Sequence, residues 1–230
     1  MKRGIKKRMD DGAPTAPQRR KQTVRRIESD RKMLRAATEL IARKGVGQST
    51  LSEIGLAAGY SSGLPPMRFG SKVGLLEALL TAMSSWCDVG LHAATIGRQG
   101  LEAATARVQA HIENAARYPE GAVAFQLLAI ESRYSLPELG AQVKAINLRW
   151  RHDLEMDLRV GQALGQVRGD IDAAVYANLM MSAVAGMITL EGGIDQVREI
   201  QQPFIEIISL PQRAADNEVD AQSKSAKKAK

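Results

Sequence analysis

Apolar residues in this chain recur every three or four positions, in blocks punctuated by glycine and proline, which is the period of amphipathic helices. From residue 29 to 44, Met33, Ala37, Leu40 and Lys44 follow one stripe, with Leu34 and Ile41 thickening it. Ser29 or Asp30 is positioned to cap its start. Gly45 and Gly47 are placed to end it, because a left-handed residue after a helix costs glycine least. Thr50-Leu51-Ser52-Glu53 has the form of a capping box, in which hydroxyl and carboxylate satisfy each other's backbone amides. Leu51, Ile54, Ala57 and Ala58 supply the inner face of that second helix, and Gly59 stops it. Ser61 is then the expected cap of another short helix. Phe69 follows as an anchor, and Ser71 caps a longer helix with Leu75, Leu76, Leu79, Leu80, Met83 and Trp86 inward. Further helical blocks are expected at 101–118, 122–134, 137–164, 171–191 and 195–209, separated by Pro119-Glu120-Gly121, Leu136-Pro137, Gly165 and Gly192-Gly193. No alternating run is long enough for a strand, so the expected fold is all-α.

Charge is divided unevenly over this pattern. Residues 1–72 carry 17 Lys or Arg against 6 Asp or Glu, whereas residues 73–210 carry 10 against 16. A basic end joined to an acidic body suits a polyanion partner. Residues 1–26, with Pro14, Pro17 and four basic clusters, have little to bury and are expected to be a disordered basic arm. The domains expected after it are 27–87 and 88–210, and 211–230 reads as a disordered tail. The single cysteine, Cys87, excludes an internal disulfide and a multi-cysteine zinc site within one chain. No secretory leader is visible, and a cytoplasmic location is expected. The uncharged run between Asp172 and Glu191 approaches spanning length, but it contains Asn178, Ser182, Gly186 and Thr189 and reads as a helix buried on all sides, not as a membrane span.

A short helix, a glycine turn and a second short helix make a helix-turn-helix. Residues 31 to about 80 resemble the DNA-binding domain of the TetR family through Ala36-Ala37, Leu40-Ile41, Gly45, Thr50, Ile54, Ala57-Ala58-Gly59, Ser61, Gly63, Phe69, Ser71-Lys72 and Leu75-Leu76. The resemblance implies an N-terminal three-helix domain and a C-terminal helical domain for ligand binding and dimerisation. It implies a homodimer on a palindromic double-stranded operator, with half-sites about one helical turn apart, and an effector pocket. Two departures stand out. Pro65-Pro66-Met67-Arg68 replaces the family's usual leucine, tyrosine, aromatic and histidine, and Lys72 precedes Val73-Gly74 where an acid and a helix former are common. Because proline is tolerated only in a helix's first turn, the recognition helix should be shorter, or start later, than usual.

The DNA-contact candidates are Thr50, Ser61, Ser62, Gly63, Met67, Arg68 and Lys72. Arg68 is the only cation of the recognition element, open to guanine or phosphate. Lys72 opposes the dipole at the start of its own helix, which favours an external anion. For a small, mainly apolar effector the candidate lining is His92, Arg117, Gln126, Asn147, Trp150 and Arg151. The dimer interface is expected on Met180, Met181, Val184, Met187 and Ile188 of one helix, with Phe204, Ile205 and Ile208 of the next. No cofactor or metal site is expected; His111 beside Glu113 lacks further ligands. The leading function is a ligand-responsive transcriptional regulator, a repressor. A second reading is a helical ligand- or protein-binding regulator whose operator reading is lost or altered by Pro65-Pro66. A third is a serine hydrolase, since Gly59-Tyr60-Ser61-Ser62-Gly63 fits G-x-S-x-G, although that motif needs a strand before the serine.

Overall fold

A computed structural model describes residues 16–189 and Glu206. Among these residues the chain is helical without strands: α1 (Ala16–Gln48), α2 (Leu51–Ala57), α3 (Leu64–Phe69), α4 (Lys72–Thr95), α5 (Gly100–Arg117), α6 (Pro119–Tyr134), a 3-10 turn (Pro137–Leu139), α7 (Gly140–Ala163) and α8 (Ala173–Thr189). The all-α expectation and its two-part layout agree with this arrangement.

Helix α1 begins at Ala16, so residues 16–26, expected to be disordered, are helical. Pro17 sits in the first turn, where proline is tolerated, and good helix formers follow it. Ser29 therefore lies inside a helix and caps nothing; its hydroxyl donates to the Arg26 carbonyl at 2.8 Å. The regular helix breaks at Gly45, whose φ of 84° is open to glycine.

Two cores hold the helices. The first runs without interruption from Met33, Leu40 and Ile41 of α1 through Ile54, Leu75, Leu76, Leu79 and Leu80 to Phe125, Leu128, Ile146 and Trp150. The second joins α5, α7 and α8 through Val108, Ile112, Leu154, Leu158, Ala177 and Met180. Polar ties add direction to this packing. Arg107 bonds Asp157 at 2.6 Å between α5 and α7. Asp88 of α4 accepts from Arg149 at 2.8 Å and from the Trp150 indole at 3.0 Å, fixing α7.

Helix α8 is not apolar-buried on every side. Ala173, Ala177, Met180 and Val184 form one stripe at helical spacing into the protomer's own core. Met181 and Met187 are half-buried and pack against that core. The expected interface residues Met180 and Val184 thus face inward, while Val175 (51% exposed) and Leu179 (58% exposed) face out. The side chain of Ile188, and Phe204, Ile205 and Ile208, lie outside the described residues. No helix among the described residues is long and apolar enough to cross a membrane.

Candidate nucleic-acid interface and ligand cavity

The helix-turn-helix is built from local devices. Thr50 accepts from the Glu53 amide at 3.2 Å, and its own amide donates to Glu53 Oε2 at 3.1 Å. Its hydroxyl also donates to Glu53 Oε2 at 2.8 Å. Lys44 reaches Glu53 Oε1 at 2.7 Å, and with Thr50 it holds the Glu53 carboxyl down at about 2. The Thr50 hydroxyl is therefore committed to capping, and the first-turn amides of α2 are what the helix start leaves without an intrahelical acceptor. Gly59 (φ 79°) turns the chain. Helices α2 and α3 then cross so closely that a Cβ on Gly55 would lie 2.6 Å from the Ser61 carbonyl oxygen and 3.0 Å from Pro65 Cδ.

The recognition element departs from expectation in three ways. Gly63, not Ser61, occupies the cap position of α3, with no side-chain bond. The helix is only Leu64–Phe69, with Pro65 and Pro66 in its first turn, so it is short and late as the two prolines imply. Arg68 turns away from the outer face: its Nε lies 3.1 Å from Asp30 Oδ1 of α1, largely buried and too poorly aligned for a good hydrogen bond, so the contact is electrostatic. Lys72 also points inward and donates to the Val46 carbonyl at 2.6 Å and the Gly47 carbonyl at 3.2 Å. Its charge opposes the start of α4 but satisfies the carbonyls that end α1, which explains a cation there without an external anion. Desolvation lowers the Lys72 pKa. What remains outward is Ser61, Ser62, Gly63, Pro66 and Met67, the last 76% exposed, with no charged side chain among them. Arg25, Arg26, Arg31 and Arg43 on α1 are exposed and have no carboxylate partner among the described residues. Arg25 and Arg26 belong to the basic clusters expected in the arm; Arg31 and Arg43 carry no such signal, because a periodicity reading treats them only as the solvated face of α1.

The body of the protein holds a half-open cavity of about 530 Å³ between α4, α5, α6, α7 and α8. Of the residues proposed to contact an effector, Gln126, Asn147, Trp150 and Arg151 line it. His92 and Arg117 do not; both are exposed on other surfaces. Sequence reasoning missed Trp86, His111, Asn114, Tyr118, Phe125 and Arg133 as lining residues. Trp86, on the expected inner face of α4, stands at the cavity and is 42% exposed, its ring edge-on to Tyr118 at 4.4 Å. His111 is 7% exposed, packs edge-on against Trp150 at 5.2 Å, and leaves Nε2 without a partner. Burial, and secondarily the Arg107 charge, pushes its pKa down to about 4, so the ring is neutral at pH 7. No trio of His, Cys, Asp or Glu suited to a metal occurs among the described residues.

Residues 33–79 match the family model of bacterial regulatory proteins of the tetR family. The chain carries a TetR-family DNA-binding domain. The TetR match begins at Met33 in α1 and ends at Leu79 in α4, so it spans the whole helix-turn-helix and stops short of every cavity residue. Solved structures of transcriptional regulators share the fold over about four fifths of this chain. A regulator from Chloroflexus aurantiacus is 21% identical, covering 84% of this chain and 100% of its own, with a TM-score of 0.72. A regulator from Rhodococcus sp. is 20% identical, covering 80% and 100%, also at 0.72. A regulator from Saccharomonospora viridis, solved in complex with choline, is 23% identical, covering 78% and 96%, at 0.66. A search of curated protein sequences finds no match. The Gly59–Gly63 match to G-x-S-x-G does not form a nucleophile elbow: Ser61 follows helix α2 and a turn, where that elbow requires a strand.

Proposed function

We propose that this DNA-binding regulator of transcription is ligand-responsive: a repressor that binds a palindromic operator as a homodimer and is released by a small, mainly apolar effector in the cavity. The observation that carries the reading is the uninterrupted core from the DNA-binding domain to the cavity wall. Phe125 and Trp150 line the cavity and belong to the same packed cluster as Met33 and Leu40 of α1. Close-packed interiors do not deform continuously. An occupant that shifts α6 or α7 must therefore bias the position of α1, and a ligand that favours one arrangement over the other changes operator affinity by that difference. Dimerisation is read onto the outward face of α8, at Val175 and Leu179.

The domain organisation proposed is a basic segment and TetR-type domain to residue 87, then a ligand and dimerisation domain. The uncharged outer face of the recognition element favours a variant of operator reading. Met67 suits apolar contact with thymine methyl groups, and Ser62 a single hydrogen bond, in place of bidentate arginine readout. Phosphate contacts then fall to the exposed arginines of α1 and the basic arm. Choline, bound by the Saccharomonospora viridis protein, is a cation, whereas this cavity presents Arg133 and Arg151 and no carboxylate among the described residues. A different ligand charge is expected here.

Selection of bound fragments from random double-stranded DNA tests the reading. The expected outcome is a two-fold symmetric site with half-sites about one turn apart. If a dimer engages roughly eight phosphates, log affinity should fall against log salt with a slope near −7. Enrichment of no sequence, together with a slope shallower than about −2, would defeat the operator model.

A further inference from the structure

The cavity is long, and its charge is of one sign. Tyr118, Ala122, Phe125, Ala129 and Arg133 line it at successive turns of α6. At roughly 1.5 Å per residue, Tyr118 and Arg133 stand about 22 Å apart along the helix axis. The cavity therefore runs the length of α6. Trp86 packs on Tyr118 at one end, and Trp150 meets Phe125 at 5.3 Å midway. Arg133 enters from the last turn of α6, and Arg151 follows Trp150 on α7. Neither guanidinium is neutralised. Arg133 is exposed, with no hydrogen bond or ion pair among the described residues. Arg151 is half-buried, and its Nε donates to the Asn147 carbonyl at 3.1 Å and its Nη1 to the Asn178 amide oxygen at 2.9 Å. Both acceptors are uncharged, and Nη2 is left open. Those two bonds hold the side chain between α7 and α8, so it loses little freedom on pairing. Among the described residues no Asp or Glu lines the cavity. Asp88, bonded to the Trp150 indole, is already shared with Arg149. His111, the histidine of the wall, is neutral at pH 7. Two positive charges thus stand on this wall with nothing on it to offset them, and low-dielectric walls strengthen the field they project into a cleft. An oxyanion gains charge-assisted hydrogen bonds there. A cation, which the aromatic rings alone would attract, meets two like charges.

We propose that the cavity takes an amphiphilic anion: an extended apolar body laid along α6 between the aromatic rings, with an oxyanion head drawn to the unpaired guanidiniums of Arg133 and Arg151. The proposal rests on the reading of the cavity as an effector site, and it adds the shape and the charge of the effector.

The chain has two tryptophans, and Trp86 and Trp150 both line the cavity, so fluorescence of the full-length protein reports occupancy with no DNA present. Four probes share one decyl body, each used below the concentration at which it aggregates: decanoate, decyl sulfate, 1-decanol and decyltrimethylammonium. At least one oxyanion probe should bind about three- to thirtyfold tighter than 1-decanol, the worth of a charge-assisted hydrogen bond at a half-open site. Which one binds better separates a carboxylate from a tetrahedral head. The ammonium probe should be the poorest. Butyrate, which keeps the head and loses most of the body, should bind at least about tenfold more weakly than decanoate. In the double variant Arg133→Gln with Arg151→Gln the oxyanion probes should lose their advantage while 1-decanol binds as before; the single variants show how the loss divides. Oxyanion probes no tighter than 1-decanol, preference for the ammonium, butyrate equal to decanoate, silence from all four decyl probes, or a double variant that keeps the preference would each overturn the proposal. Should the double variant fail to fold, salt decides on the wild type: added sodium chloride should weaken the favoured oxyanion and not 1-decanol, and parallel responses overturn the proposal. Operator release by the same probes is scored separately. Binding without release would sink the regulatory reading and leave this one standing.

Discussion

The DNA-reading domain and the ligand body use polar side chains in opposite ways. In the first, two cations expected to contact DNA are consumed internally, Arg68 by Asp30 and Lys72 by the carbonyls ending α1, and Lys44 is paired with Glu53. In the second, His111 Nε2 is buried without a partner. A small domain has little apolar surface to bury, so ion pairs and caps supply part of its definition. A larger body can tolerate one unsatisfied polar atom among many apolar contacts. Outward charge therefore identifies neither site by itself; what matters is which polar atoms the fold has left unpaired.

The largest expected effect tests whether the two regions are one unit. Leu128 is fully buried in the core they share. Leu128→Ala should cost about 2–5 kcal/mol and lower operator affinity and probe binding together, in a single urea transition. Two separate transitions, with only one function lost, would break the shared-core account.

Next in size is the α2–α3 crossing. Gly55→Ala puts a methyl group against the Ser61 carbonyl oxygen, which is backbone and cannot swing aside. A loss of about 1–3 kcal/mol is expected, with operator binding impaired while tryptophan-detected probe binding persists. A mutant that binds DNA normally would mean that the crossing tolerates widening.

Arg68 sharpens the contrast at smaller scale. Arg68→Met leaves Asp30 half-buried without its partner, for a loss of order 1 kcal/mol in urea melts. The DNA sequences selected by the variant should match those of the wild type. Relaxed preference at one base pair would instead make Arg68 a reader.

The smallest effect concerns pH. Glu53 is held near 2 in the folded protein against an ordinary value of 4.5. A depressed carboxyl contributes stability above its unfolded pKa and loses it as pH falls through the folded one. The difference in melting temperature between wild type and Glu53→Gln should thus be constant at neutral pH and shrink between about 4.5 and 2. A difference unchanged down to pH 2 would remove the Lys44–Glu53 pair from the account.

Much of the helix-turn-helix was legible in the sequence because its devices act within one turn of helix. Thr50 and Glu53 are three residues apart, as are Ser71 and the Gly74 amide it accepts from. The break at Gly45, the stop at Gly59 and the short helix behind Pro65-Pro66 follow from dihedral limits of single residues. Periodicity likewise sorted Leu75, Leu76, Leu79 and Leu80 to the inside. The tertiary structure alone decided where long side chains end. Lys72 meets a carbonyl 26 positions earlier, and Arg68 meets a different helix. The cavity gathers Trp86, His111, Phe125 and Trp150 from four helices. Helix α8 shows the limit most plainly: a run apolar nearly all round has no stripe for periodicity to find, so its composition leaves open which side faces the core. Packing against α5 and α7 chose Ala177, Met180 and Val184 for the inside and left Val175 and Leu179 outside. Local rules govern atoms whose separation is set by a few dihedrals; contacts between distant segments depend on how whole helices pack, and no short stretch of sequence encodes that.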